Sequence, residues 1–329
     1  MAINSYFLIE QPFRQKWILP GRRAILTAGA LASFLILLTG LGAERTGGLP
    51  SRVSPTIATY DAAVNDREWL PDIGIADVLN DKVYEIEPRL SDEPIHCLLW
   101  GDSHAKAVAP ALRPLAREHG KRCVAAFYSG TPPMLDYIGT NPYSLKERCP
   151  EHSKAVVDFV RRKRVPNVLL VAFWVAYPIE KPTPDQPSPV QVDLENTVAA
   201  LQEAGAKVWL MRQVPIFPQD VPRVLGLATM RKIDPAPLYR MEDWHNLSLV
   251  DYDPIFKGLE QRGVIKLDPA PFFVRNGLCT YLQGDYPLYI DSNHLSLHGA
   301  DQIRPLFSPL FEAPSSEPAA QSPTVRLSP

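Results

Sequence analysis

Residues 24–43, AILTAGALASFLILLTGLGA, carry no charged side chain. As a helix rising 1.5 Å per residue, this run spans about 30 Å, the thickness of a bilayer's hydrocarbon core. Pro20-Gly21 breaks the chain just before it. Arg14, Lys16, Arg22 and Arg23 precede the run, and only Arg45 and Arg52 follow it closely. That asymmetry predicts a cytoplasmic N-terminus, with everything after residue 43 outside the cytoplasm. A cleaved signal peptide is the competing reading, with Ala43 at the cleavage site or Arg22-Arg23 as a twin-arginine signal. The run exceeds the roughly 7–15 apolar residues of a signal core, and Leu41 is a poor small-residue partner for Ala43. An uncleaved anchor is therefore expected over 21–43, following a cytoplasmic tail at 1–20. Either reading exports the remainder.

One such run in 329 residues, with 46% hydrophobic and 21% charged side chains, excludes a polytopic membrane protein and wholesale disorder. A net charge of -2 gives no basic excess to attract nucleic acid. Thirty-four prolines are about twice the usual share of roughly 5%. They predict long loops, and the Pro/Ser/Ala-rich residues 313–329 should be disordered. Residues 44–90 lack strong periodicity and read as an extracytoplasmic linker with short helices near 57–65 and 74–81.

From residue 91 the pattern sharpens. Short apolar runs at 95–100, 122–128, 167–173, 207–213 and 264–267 read as strands. Helical segments follow them at 103–119, 152–164, 190–204, 252–261 and 298–311, with an irregular stretch over 214–248. Strand–helix alternation predicts an α/β domain with a largely parallel sheet over 91–312.

Two motifs carry chemistry. IHCLLW-GDS-HA ends a buried strand, permits a tight turn at Gly101 and sets Ser103 where a helix begins. There a hydroxyl lies at the C-terminal edge of the sheet, and the unpaired N–H groups of the helix start favour an oxyanion. The alternative is that Asp102 or Ser103 only caps the helix. Near the domain's end, YIDSNHLSLHGA puts Asp291 three residues before His294. The carboxylate can then hold imidazole Nδ1–H and leave Nε2 to take a proton from serine; here the alternative is a cap and a surface histidine. The two motifs in this order support a Ser-His-Asp site. The other histidines (His96, His104, His119, His152, His245 and His298) show no metal-ligand spacing, and no cofactor or metal is expected. No CxxC pair exists among Cys97, Cys123, Cys149 and Cys279.

Those residues carry a resemblance to the SGNH (GDSL-type) esterases, and closely to the extracytoplasmic SGNH domain fused to the C-terminus of acyltransferase-3 membrane proteins. The matching segments are LLWGDSHA at 98–105, SGTPPML at 129–135, NVLLVAFWVAY at 167–177, VWLMRQVPIF at 208–217 and YPLYIDSNHLSLHGA at 286–300. Tyr6, Phe7, Ile9, Glu10, Pro12, Phe13 and Arg14 resemble the end of the last acyltransferase-3 helix. The resemblance implies a three-layer α/β/α, flavodoxin-like fold. It implies Ser103 as nucleophile, His294 as base, Asp291 as its partner, and the backbone N–H groups of Ser103 and Gly130 as the oxyanion hole. Trp174 and Tyr177 are candidate sugar-stacking residues, with core packing as the alternative.

Three departures stand out. Wider SGNH enzymes add an Asn donor where this chain has Phe173-Trp174. The fused family often has Cys-Pro-Pro where Thr131-Pro132-Pro133 stands, so a loop disulfide through that position is absent; Cys149 and Cys279 are a candidate pair that the exported location permits, with two free thiols as the alternative, and Cys97 and Cys123, on expected strands, read as buried thiols. The multi-helix acyltransferase domain is not in these residues, so the resemblance at 6–14 implies the C-terminal remainder of a longer protein. The expected activity is acyl transfer, most simply acetyl, to a hydroxyl of a cell-envelope glycan. A carbohydrate esterase and a non-catalytic glycan-binding module are the alternatives. The expected partners are the glycan acceptor, the lipid bilayer and a separately encoded or lost acyltransferase-3 domain.

Overall fold

The computed structural model describes residues 6–18, 21–48, 54–177, 188–233, 240–241 and 248–312. The expectation for residues 313–329 lies outside the described residues, as does most of the proline-rich loop at 178–189. The chain divides into two units, residues 1–58 and 59–329.

In the first unit, α1 (Arg22–Arg45) contains the whole uncharged run, and none of its residues is buried. It is long and apolar enough to cross a membrane. A helical stretch at Tyr6–Glu10 and Gln11–Arg14 precedes it. Helix α2 (Pro55–Ala63) comes next in the chain, with Tyr60 and Ala63 buried.

The second unit begins earlier than the sequence suggested. Tyr60, Ile73, Val78 and Ile86 join the hydrophobic core, and α3 (Ile75–Leu79) and the two-residue strand β1 (Tyr84–Glu85) belong to it. Residues 59–90 are thus domain, not linker. Their apolar residues are too sparsely spaced to show a period, and only packing reveals which of them face inward.

Five parallel strands form the rest of the sheet: β2 (Ile95–Gly101), β3 (Arg122–Phe127), β4 (Asn167–Val171), β5 (Lys207–Met211) and β6 (Ile265–Leu267). The order is β1-β3-β2-β4-β5-β6, with β1 antiparallel at the edge. The parallel strands are nearly continuous apolar runs because helices cover both faces of such a sheet. These helices include α4 (Ser103–His119), α5 (Cys149–Lys163), α6 (Pro189–Glu203) and, after a further helix α7 (Val221–Met230) in the loop that follows β5, α8 (Asp253–Gln261). After β2 the chain adds β3 on one side and then crosses to β4 on the other. The carboxyl end of β2 is therefore the topological switch point, where α/β sheets place their ligands.

Three further expectations need correction. Helix α7 lies inside the stretch read as irregular, and its single turn of polar signal, Asp220 accepting from the N–H of Arg223, is easily missed. The helix expected at 298–311 is three pieces: α9 (Leu297–Gln302), a 3-10 turn at Arg304–Phe307 and a last turn at Ser308–Phe311. Pro305 and Pro309 each lack the N–H that would continue a helix. The disulfide joins Cys97 to Cys123, not Cys149 to Cys279. These two residues are register partners on the adjacent strands β2 and β3, with Cα atoms 4.8 Å apart, inside the span a disulfide bridges. Cys149 is a buried thiol whose Sγ lies 3.8 Å from Thr131 Oγ1.

Candidate active site

The site is built on the end of β2. Gly101 is needed there, though not for a turn. A Cβ on it would lie 1.6 Å from the Val171 carbonyl oxygen, since Gly101 and Val171 are paired across β2 and β4. The next residue, Asp102, is the N-cap of α4 and is 1% exposed. Its Oδ1 accepts from the N–H of His104 at 2.8 Å. Its Oδ2 accepts from the N–H of Phe173 at 2.9 Å and from the Tyr177 hydroxyl at 2.6 Å. Burial pushes the Asp102 carboxyl up, and these donors and the nearby His294 oppose that shift. The capping reading of GDS therefore holds for Asp102. Asp102 caps and ties the end of β4 to the start of α4, and this leaves Ser103 as the first residue of the helix.

Asp291 shows why the second motif has its spacing. Its Oδ1 accepts from the N–H groups of Asn293 and His294, both at 2.8 Å, and so closes a tight turn. Ile290 N–H donates to the His294 carbonyl across the same turn at 3.0 Å. The turn folds the imidazole back, so that His294 Nδ1 lies 2.7 Å from Asp291 Oδ2. His294 Nε2 lies 2.8 Å from Ser103 Oγ. Burial raises the Asp291 carboxyl, but its hydrogen bonds to His294 and that residue's charge outweigh it and bring the pKa down to about 2. Ser296, next but one, caps α9 by accepting from the Gly299 N–H at 3.0 Å, and this fixes the exit of the motif.

Two positioning residues were not singled out from the sequence. The His104 ring stacks on Phe173 at 4.6 Å with an interplanar angle of 6°, and its other neighbour is the His294 ring at 4.7 Å. Its Nε2 donates to Asn293 Oδ1 at 3.1 Å. His104 therefore supports the His294 ring from below, and Asn293 holds His104. Their only signal was adjacency to the triad residues in both motifs. Burial, with the nearby His294 adding to it, drives the His104 pKa from 6.5 to about 3.

This shift has a consequence for acid stability. Between pH 6.5 and 3 the unfolded chain binds a proton on this residue that the folded chain does not, so stability is full above about 6.5 and falls as the pH drops. By pH 4 the loss from this one group is of order 3 kcal/mol. The melting temperature of wild-type protein should fall on acidification from pH 7 to 4. His104→Gln keeps an N–H donor without a titrating ring and should flatten that fall. An unchanged slope in the variant would show that His104 is not its source.

The remaining expected residues sort differently. Gly130 sits in the turn after β3 with φ +65, where the Thr131 N–H donates to the Tyr128 carbonyl. Among the described residues, the N–H groups of Ser103 and Gly130 have no partner. Ser129, rather than Gly130, lines the cleft with Ser103. Trp174 is fully buried, donates from Nε1 to the Met211 carbonyl at 2.8 Å and packs edge-on against Phe256. Tyr177 is 2% exposed, and its hydroxyl is taken by Asp102. Neither ring can stack on a sugar. At the place of the Asn donor of wider SGNH enzymes, Phe173 gives its ring to His104 and its N–H to Asp102.

Ser103 and His294 open into a cleft of about 230 Å³, which Lys106 and Ser129 border from α4 and the turn after β3. A family model described as the SGNH domain fused to AT3 domains matches residues 77–309, more than half of the chain. The chain belongs to that SGNH family. An SGNH domain with Ser103 and His294 in contact is an enzyme of the serine hydrolase and acyltransferase type. No curated protein matches the chain. Among solved structures, the periplasmic domain of the lipopolysaccharide acetyltransferase of Salmonella ser. Paratyphi A is similar, with a TM-score of 0.53 and 14% identity over 79% of this chain and 97% of that one. It has the same SGNH fold. A GDSL-like lipase from Bacteroides thetaiotaomicron is 12% identical over 78% of this chain and 98% of that one, with a TM-score of 0.40.

Proposed function

We propose that the protein transfers an acetyl group, through an acyl-Ser103 intermediate, to a hydroxyl of a cell-envelope glycan outside the cytoplasm. The observation that carries this reading is the unbroken relay from Ser103 Oγ through His294 to Asp291, with bonds of 2.8 and 2.7 Å. As Ser103 Oγ attacks the donor's acyl carbon, His294 Nε2 takes its proton. The negative charge on the carbonyl oxygen is met by the N–H groups of Ser103 and Gly130 and by the start of α4. The donor's leaving group departs with the proton from His294. The acceptor hydroxyl then gives its proton to His294 as its oxygen attacks the acyl-serine. An ester forms on the glycan, and the proton returns to Ser103 Oγ.

Support for a glycan acceptor comes from the AT3-fused family and from the lipopolysaccharide acetyltransferase that shares the fold. An AT3 membrane domain would supply the acyl group. Helix α1 would hold the enzyme at the membrane, and the cations before it favour an extracytoplasmic second unit. Alkaline phosphatase joined after residue 60 is active only in that orientation, so an inactive fusion rejects it. The acceptor is tested by giving the full chain an activated acetyl ester with and without a cell-envelope polysaccharide. Acetylated polysaccharide should appear at the expense of free acetate, and Ser103→Ala should abolish both. Acetate release that the polysaccharide leaves unchanged would mean that water is the acceptor and the enzyme an esterase.

A further inference from the structure

The cleft beside Ser103 has a wall that precedes the residues matched by the family model. Arg67 and Trp69 line it, from a segment eight and more residues before residue 77. The Arg67 guanidinium carbon lies 3.6 Å from the centre of the Trp69 ring and so covers one face of the indole. Trp69 is nevertheless 75% exposed. Arg67 Nε is buried without a hydrogen-bond partner, and among the described residues the guanidinium has no ion pair. An exposed tryptophan and an unpaired guanidinium, side by side at the mouth of a nucleophile, are polar and apolar binding capacity that the fold leaves unused.

The segment is also held in place. On one side of Arg67, Asp66 is anchored to α9: its carbonyl accepts from the Leu297 N–H at 2.8 Å, and its Oδ2 lies 2.7 Å from His298 Nδ1. On the other side, Glu68 forms a two-pronged ion pair with Arg113 of α4, with one bond at 2.8 Å. Arg113 in turn donates from Nε to the Ile86 carbonyl at 2.7 Å. Helices α4 and α9 begin beside the two catalytic motifs, so the anchors fix the segment to the same frame that fixes Ser103 and His294. Side chains fixed in this way lose little freedom when a ligand arrives.

We infer that Arg67 and Trp69 form the acceptor subsite, with the open face of Trp69 under a pyranose ring and the Arg67 guanidinium donating to that ring's oxygen substituents. This rests on the acyl-transfer reading above and adds to it the place where the sugar binds. An indole offers a sugar's C–H face a broad, apolar and rigid platform. A guanidinium offers a fork of N–H donors that suits adjacent oxygens. A group bound there lies in one cleft with Ser103 Oγ, where the acceptor oxygen has to arrive.

Two acetyl esters test the subsite with the full chain. Vinyl acetate delivers the same acyl group with a two-carbon leaving group that has no ring to stack. Glucose pentaacetate delivers it from a pyranose. Wild-type protein should prefer the sugar ester in kcat/KM. Trp69→Ala should lower the ratio of the two kcat/KM values by about tenfold, mainly through KM for the sugar ester, and Arg67→Ala should lower it by a few-fold. Trp69→Tyr, which restores a ring, should recover part of the preference. Melting curves establish that each variant is folded, which the exposure of Trp69 favours. A ratio that does not move in either folded variant overturns the subsite while leaving acyl transfer intact. A wild-type chain that turns over neither ester overturns the acyl-transfer reading, and the subsite with it.

Discussion

Ser103→Ala is expected to lower turnover of 4-nitrophenyl acetate by the full chain by roughly 10³- to 10⁶-fold, because it removes the atom proposed to carry the acyl group. His294→Ala should fall in the same range, and the double variant should be no worse than either single one, since the pair acts as a unit. Asp291→Asn should cost as much or less. It keeps the turn that the N–H groups of Asn293 and His294 make with this side chain, but it no longer holds His294 in the tautomer that leaves Nε2 open. With its pKa near 2, Asp291 stays ionised at any pH at which the fold is handled, so it should add nothing to the acid limb of the rate profile. A fluorophosphonate should label Ser103 in wild-type protein and nothing in Ser103→Ala. Equal turnover by wild type and Ser103→Ala, with no labelling of a folded sample, would favour the non-catalytic binding module.

The second large effect concerns folding. Gly101→Ala should destabilise the protein by at least about 3 kcal/mol, which for a domain of this size is a melting temperature lower by roughly 10 °C or no soluble product at all. The new methyl would sit 1.6 Å from the Val171 carbonyl oxygen and 3.1 Å from the Ala105 Cβ. Both obstacles belong to backbone or to a short side chain, so neither can swing aside. Relief requires β2 and β4 to part, and β2 is the strand that carries Asp102 and Ser103. Gly226→Ala in α7 is the matched control. Nothing lies within 4 Å of its added Cβ, and alanine is the better helix former, so the melting temperature should hold or rise. A folded Gly101→Ala protein that melts within about 2 °C of wild type would show that the strands tolerate the separation.

Much of the site was legible in the sequence because its chemistry is local. Ser103 follows a strand and opens a helix, and Asp291 and His294 share one turn; a few consecutive residues contain the whole geometry of each half. The relation between the halves was not local. A separation of 191 residues closes to a 2.8 Å contact because the order of the strands brings the last loop over the end of β2. Motif order could suggest that meeting, and only the packed sheet produced it.

The misplaced residues follow the same division. Trp174 and Tyr177 are aromatic and follow an apolar strand, which is why they stand out in the sequence. Whether such a ring faces solvent or core depends on what α8 and the Asp102 carboxylate present to it, and here both rings are buried. Trp69, in a stretch without visible period, is the exposed ring at the cleft instead. The pairing of cysteines depends on which strands are neighbours and in what register, and neither is written in the spacing of four residues. Sequence by itself determined the elements that depend on short-range physics: an uncharged run of bilayer length, apolar strands, a capped helix carrying a serine, and a turn that aligns a carboxylate with an imidazole. Tertiary structure alone decided the long-range matters, namely which residues of 59–90 belong to the domain, which thiols join, and which aromatic ring is exposed at the cleft. Each of these depends on burial between segments far apart in the chain, and a local pattern does not encode it.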